Sequence, residues 1–459
     1  MSAAEASPLA KSGGLGDVVG VLPAELRKLG LECAVVLPRY RRIGLERARK
    51  VFEGLRVWLS GGYYLCDVWA VEQRGVTFYL LDHPGLYDRD GLYGYGDDHV
   101  RFAVLSLATL GVARHLFRPD VIHLHDWHTA MTPLYLKTFF PNDPTFTGVK
   151  TLLTLHNLYD CRIGPERLGE IGLDPRFYRT DWIEFYGSAS MLKAGLVFAD
   201  KISAVSPGYA REIQSPVSGE GYEGILRQRG VTGILNGVDY SEWNPESDPH
   251  IAANYSVEDL SGKRKCKAAL LERFGFPVED VMDRPLVGVV SRLVEQKGWE
   301  LVRDVFHEFC AEDITLVVLG TGEYRYETMF WHMAEFHKQK ARAVLNYDNQ
   351  LAHQIYAGSD LFLMPSRYEP CGLSQMYSLR YGTLPLVRAT GGLDDTIDEE
   401  TGFKFWGYNG QELLAALRYA LSVYREPSGR WARMRETAMR RDFSWDRSAK
   451  QYVELFKRL

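Results

Sequence analysis

The sequence predicts a two-domain α/β chain built on parallel sheets, and three observations carry that expectation. Strand-like runs alternate with helix-like runs through both halves, the pattern of parallel α/β architecture. Residues 11–17, Lys-Ser-Gly-Gly-Leu-Gly-Asp, form a glycine-rich turn that opens a helix. Residues 291–298, Ser-Arg-Leu-Val-Glu-Gln-Lys-Gly, repeat the scheme of strand end, basic loop and helix start far downstream. Glycines at such a junction allow close backbone approach, and a helix start offers free N–H groups to a phosphate. Two such loops in two halves of one chain point to a ligand held between domains.

The elements follow in order. Only four residues precede Glu5, too few for a full strand. Either the native chain starts upstream of Met1 or the first strand is shortened. Val18, Val21, Leu22, Leu26 and Leu29 recur at helical spacing over residues 17–29. Residues 32–37, 55–59, 64–71 and 76–81 read as strands, and 83–98 as a loop rich in Gly, Tyr and Asp. Helical period covers 99–117. Then come a strand at 121–124, a helix from about Thr129, a strand at 150–155, a helix at 188–198, a strand at 201–205 and a short helix at 207–213. Polar, irregular sequence around residues 237–249 marks the domain boundary. A second series begins with a strand at 286–290 and a helix at 298–310. Strands at 314–319, 361–364 and 385–387 follow, then helices at 411–424 and 430–440 and an amphipathic end from Trp445. The first domain is expected over residues 1–239, rejoined by 443–459, and the second over 240–442.

The chain has 459 residues and a net charge of −5. That leaves no charge argument for a nucleic-acid or membrane partner. Its six cysteines are widely spaced, with no Cys-x-x-Cys pair. This argues against a disulfide framework or a zinc site and fits a reducing cytoplasm. No signal peptide, long apolar run or transit-like leader is evident.

Several residues at strand ends carry chemistry. His123 and His125 share a strand face, a possible metal pair, but no further ligand cluster accompanies them, so no metal is expected. Asp126 and Trp127 lie just past that strand, where ligands sit in open α/β sheets. A carboxylate and an indole there suit a sugar, by hydroxyl acceptance and ring stacking. His156 ends the next strand, where it either meets a ligand or merely satisfies its loop. Asn236 and Gly237 are a turn or a further ligand contact. Arg292 and Lys297 are fixed cations at a helix start, suited to a diphosphate leaving group, and Glu295 could neutralise one of them. Glu369 precedes a helix, where it either favours the dipole or accepts from sugar hydroxyls. Thr390 follows another strand end.

Seven segments together resemble the bacterial-type glycogen (starch) synthases. They are Lys-Ser-Gly-Gly-Leu-Gly-Asp (11–17), His-Asp-Trp-His (125–128), Thr-Leu-His-Asn (154–157), Ile-Leu-Asn-Gly-Val-Asp (234–239), Ser-Arg-Leu-x-x-Gln-Lys-Gly (291–298), Glu-Pro-Cys-Gly-Leu (369–373) and Thr-Gly-Gly-Leu (390–393). Each is weak alone; in series they span nearly the whole chain. The resemblance implies two Rossmann-like domains facing a deep cleft (the GT-B fold). It also implies retaining transfer of glucose from ADP-glucose, or less readily UDP-glucose, to the non-reducing end of an α-1,4-glucan. Lys11 and the Gly13 and Gly14 amides would meet the donor phosphates, with Asp17 nearby. Asp126, His156 and Asn236 would face the donor sugar, and Glu5 the acceptor path. Arg292 and Lys297, with Gln296 beside them, would grip the diphosphate, and Tyr347 would stack on the base. Glu369 would bind glucose hydroxyls, while Cys371, Gly372, Leu373 and Ser374 meet sugar and phosphate. Tyr377 stands where related enzymes carry a second Glu, so a two-glutamate mechanism is not supported. No metal or other cofactor is implied. A silent sugar-nucleotide sensor or glucan-binding protein on the same fold is a different reading, disfavoured by the intact Lys11, His156, Arg292, Lys297 and Glu369. A glucan phosphorylase is disfavoured by the chain length.

Overall fold

The computed structural model describes residues 1–59 and 62–459. The chain divides into two compact units, Met1–Gly237 with Trp445–Leu459, and Val238–Ser444. The crossing points follow from local pairing, because Val238 bridges to Ser444 and both stay with the second unit.

In the first unit, strands Val121–His125, Lys150–Leu155, Lys201–Ala204 and Val231–Gly233 lie parallel and adjacent in that order. A second group runs Ala34–Pro38, Val76–Asp82, Gly62–Gln73 and Arg49–Leu59. Only its first pair is parallel; the others are antiparallel. Three successive strands with no helix between them can return only by hairpins, so this edge departs from the all-parallel expectation. The shortened first strand joins the two groups. Ser2 bridges both Leu124 and Val36 in parallel. Its N–H donates to His123 O at 2.9 Å, and Val36 N–H donates to Met1 O at 2.9 Å.

The helix expected at 17–29 starts earlier and spans Gly14–Lys28. Its Val18, Val21, Leu22 and Leu26 form one buried cluster with Leu152, Ile234 and the terminal helix residues Trp445, Ala449, Tyr452 and Leu455. These last four recur at helical spacing along Trp445–Phe456. Fully burying an apolar side chain of this size is worth roughly 1.5–3 kcal/mol, which holds the terminal helix on the first unit. The helix expected at 188–198 begins only at Met191. Ser190 caps it by accepting Lys193 N–H at 2.9 Å, and Ser188–Ser190 is instead the middle strand of a small antiparallel sheet with Arg162–Ile163 and Glu184–Phe185.

The second unit holds six parallel strands in the order Ala341–Val344, Thr315–Leu319, Leu286–Val290, Leu361–Met364, Leu384–Arg388, Phe403–Phe405. This is the doubly wound order 3-2-1-4-5-6. In the first unit residues 1–3 likewise lie between the second strand, Ala34–Pro38, and the later strand Val121–His125, so the order reverses there too. The helix expected at 298–310 is broken at buried Val305, φ −118° and ψ 29°, into Trp299–Asp304 and Phe306–Ala311. The start of helix Gly410–Arg425 packs there, with the Cβ position of Gly410 2.7 Å from Val305 Cγ1. Among the described residues no helix is long and apolar enough to cross a membrane.

Gly237 lies against the terminal helix so closely that a Cβ would sit 2.5 Å from Trp445 Cα and 2.6 Å from its ring. Backbone cannot yield as a flexible side chain does. Gly237→Ala is expected to destabilise the first unit by about 1–3 kcal/mol, read as a lower urea midpoint by tryptophan fluorescence. An unchanged midpoint would show that the terminal helix shifts without cost.

Candidate active site

Strand order decides which loops meet. In the second unit the order reverses between Leu286–Val290 and Leu361–Met364, so the loops after these strands lie side by side at the switch point. Gly298 makes the contact possible. It is left-handed, φ +73°, and a Cβ there would lie 2.0 Å from Pro365 O. Arg367 N–H donates to Gln296 O at 2.9 Å, and Gln296 Nε2 donates to Tyr368 O at 3.4 Å. Across this seam Lys297 Nζ donates to Glu369 Oε2 at 2.6 Å, and Ser366 Oγ donates to the same oxygen at 3.0 Å. Glu369 is buried and Lys297 nearly so. Glu369 therefore does not cap the following helix, Ser374–Arg380, which starts five residues later.

Arg292 is exposed and donates to Gln296 Oε1 at 3.2 Å. Glu295 was expected to neutralise Arg292 or Lys297. Instead it pairs with Arg367 at 2.5 Å and Arg325 at 3.2 Å. The loop of Cys371, Gly372 and Leu373 is clamped by Gln375 Nε2, which donates to Cys371 O at 3.1 Å and Gly372 O at 3.0 Å. Gly392 N–H donates to Glu369 O at 3.0 Å. That ties in the turn of Thr390, which is buried at the start of helix Gly391–Thr396. Ser374 is the first residue of its helix. Tyr347 follows strand Ala341–Val344 and is 83% exposed, a ring face open to a planar partner.

In the first unit the switch point lies between residues 1–3 and Val121–His125, which brings Glu5 and the 11–17 loop near Asp126. Glu5 is buried. Its carboxylate accepts from Ser12 N–H at 2.5 Å, Gly13 N–H at 3.1 Å, Ser12 Oγ at 2.7 Å and Tyr93 OH at 2.6 Å. The Gly13 amide is thus bonded to Glu5. Gly14, the first helical residue, has nothing within 4 Å of its Cβ position. Lys11 Nζ donates to Asp17 Oδ1 at 2.5 Å near the surface.

Asp126 adopts a left-handed backbone, φ +56°, rare for a non-glycine residue. This turns its carboxylate across to the next strand end, where Oδ1 accepts His156 N–H at 2.6 Å and Asn157 N–H at 3.4 Å. Burial pushes the Asp126 carboxyl up to about 7, against those two amide bonds. Burial pushes His156 down to about 3, so its ring is neutral. His156 Nε2 and His125 Nδ1 share a hydrogen bond of 3.0 Å. His123 Nε2 meets Thr154 Oγ1 at 2.6 Å, and no cluster able to hold a metal occurs among the described residues. Trp127 is buried, stacked on His128 at 4.1 Å and edge-on to Phe102, so the indole belongs to the core and is not a sugar platform. Asn236 is buried with Oδ1 lacking a hydrogen-bond partner, an acceptor in want of a donor. Sequence reasoning missed Tyr93, Gln375 and the anchoring role of Glu5. Tyr93 lies in an aperiodic loop, and a buried carboxylate bound to backbone amides leaves no pattern in sequence.

A family model described as starch synthase catalytic domain matches residues 1–228, and one described as glycosyl transferases group 1 matches residues 274–438. The chain is 45% identical to a glycogen synthase of Geobacillus thermodenitrificans, covering 99% of this chain and 96% of that one. It is 42% identical to a glycogen synthase of Koribacter versatilis, covering 100% and 97%. Among solved structures, the catalytic domain of starch synthase IV from Arabidopsis thaliana, bound to ADP and acarbose, superposes with a TM-score of 0.91 at 34% identity, covering 100% of this chain and 98% of that one. A sucrose-phosphate synthase from Thermosynechococcus elongatus shares the fold, with a TM-score of 0.58 at 17% identity and coverage of 97% and 94%.

The raised Asp126 carboxyl makes a stability prediction. Its neutral form is favoured in the folded state, so its contribution is full below pH 4 and is lost as pH rises toward 7. The loss is at most about 4 kcal/mol. Asp126→Asn keeps the shape and cannot ionise. Between pH 4 and 8 the wild type should lose stability relative to this variant in urea titrations, the buried histidines being common to both. Parallel pH profiles would show that Asp126 ionises without penalty.

Proposed function

This chain belongs to the glycogen (starch) synthase family of glycosyltransferases, and from that premise we propose that it extends an α-1,4-glucan with glucose drawn from ADP-glucose. Its two units are the Rossmann-like domains of the GT-B fold. The observation that carries the reading is the Lys297–Glu369 pair at the switch point of the second unit. Cation and carboxylate hold one another until a nucleotide sugar offers each a better partner, diphosphate for Lys297 and glucose hydroxyls for Glu369. Arg292, exposed beside them, adds the second positive charge, and Tyr347 supplies a stacking face for the base. Taken by itself, the first unit offers Lys11 and Gly14 as phosphate-binding groups, and Asn236, neutral His156 and buried Asp126 as hydrogen-bonding partners for a sugar.

Transfer with retention breaks the bond from C1 to the diphosphate oxygen, which keeps the electron pair. The acceptor's 4-hydroxyl oxygen bonds to C1 on the same face, and its proton passes to the departing diphosphate. Arg292 and Lys297 meet the charge that grows on the leaving oxygen, so we assign no metal to the step. The adenine preference rests on the similarity to a starch synthase described with ADP; UDP-glucose is the other donor to test. The six widely spaced cysteines suit a reducing compartment, and we place the enzyme in the cytoplasm.

Initial rates of label transfer into glycogen, with ADP-glucose and UDP-glucose in excess chelator, test the reading. Transfer from ADP-glucose should be the faster and should persist without divalent ions. No transfer from either donor would refute the function, and loss restored by added metal would refute the metal-free step.

Lys297 should bind the transition state more tightly than the ground state. Lys297→Gln is expected to lower kcat by about a hundred- to a thousandfold, with a much smaller change in donor KM. Tyr347→Ala should raise donor KM and spare kcat, because stacking is equal in both states. If Lys297→Gln raised KM alone, the leaving-group role would pass to Arg292.

A further inference from the structure

Tyr186 is the residue whose geometry the assigned chemistry leaves unexplained. It sits at the tip of the hairpin joining strands Glu184–Phe185 and Ser188–Ser190, in the two-residue loop Tyr186-Gly187. Both loop residues have positive φ, +49° and +83°. Such a loop favours Asn, Asp or Gly at its first position, and a bulky aromatic side chain there is an outlier held at a cost. The ring gains little burial in return, since Tyr186 is 79% exposed.

The ring nevertheless has close neighbours on one side. It stands edge-on to Phe185, with centroids 4.7 Å apart and planes at 77°. Phe185 in turn stacks on Tyr222 at 4.1 Å and 2°, with the Arg162 guanidinium 4.5 Å above it. Against the Tyr186 ring lies Gly221, whose Cβ position is only 2.8 Å from Tyr186 Cε2, so any larger residue would displace the ring. Arg162 and exposed Glu220 flank this shelf with a donor fork and a carboxylate. An exposed aromatic face beside such groups matches a pyranose ring, apolar on its C–H face and rimmed with hydroxyls. The hairpin is rooted four residues past His156. Asp160 accepts from Tyr222 OH at 2.6 Å, Arg162 Nε at 3.0 Å and Leu192 N–H at 2.9 Å.

We infer that Tyr186 is a stacking subsite for a glucose unit of the acceptor glucan, with Arg162 and Glu220 receiving its hydroxyls. The inference rests on the glucan-acceptor reading above.

Two variants of the full-length enzyme test it, with maltoheptaose as acceptor. Tyr186→Asn suits the turn and removes the ring. It should raise acceptor KM about three- to tenfold, leave donor KM and kcat at wild-type values, and leave Tm unchanged or higher. Tyr186→Phe keeps the face and should match wild type. An unchanged acceptor KM in Tyr186→Asn, or an equal loss in Tyr186→Phe, would overturn the subsite while leaving the function intact. Failure of the wild type to elongate maltoheptaose would overturn the acceptor reading and the subsite with it.

Discussion

The strand reversal at the switch point is the constraint on which the second unit's chemistry depends. Parallel strands need crossovers, and right-handed crossovers keep consecutive connections on one face of the sheet. Where the order reverses, the loops of two neighbouring strands leave toward opposite faces and open a crevice between them. Lys297 and Glu369 come from those two loops, 72 residues apart, and pair at 2.6 Å. A buried ion pair contributes little net stability, because desolvation offsets attraction. Its effect here is positional, since each charge fixes the place of the other. The turns at Gln375 and Gly392 then brace the carboxylate's loop from behind.

The first unit solves the same topological problem with different means. Residues 1–3 form the central strand, and the chain leaves it directly into the Glu5 turn. The Glu5 carboxylate gathers the Ser12 and Gly13 amides, so a negative charge inside the loop fixes the loop that precedes helix Gly14–Lys28. On the other side of the switch point, the electrostatics are set by burial. Asp126 is pushed toward neutrality and His156 away from protonation, leaving hydrogen-bonding groups with little fixed charge. Tyr186 adds a third kind of surface, an exposed aromatic ring at a hairpin tip with positive φ.

Much was determined by the sequence alone. Alternating strand and helix periods set the α/β class, and the buried cluster on Trp445–Phe456 follows from spacing along one helix. The seven segments in order identified the family, because motif chemistry is local. The helix start at Met191 was also in principle local, since Ser190 is a good cap. Tertiary structure alone decided the rest. It placed residues 1–3 between two strand groups, turned Trp127 into core, gave Glu295 to Arg325 and Arg367, and spent the Gly13 amide on Glu5. Each of these depends on which partner lies within about 3 Å in space, and a partner 8 residues away in one case and 72 in another leaves the same trace in the sequence, which is none.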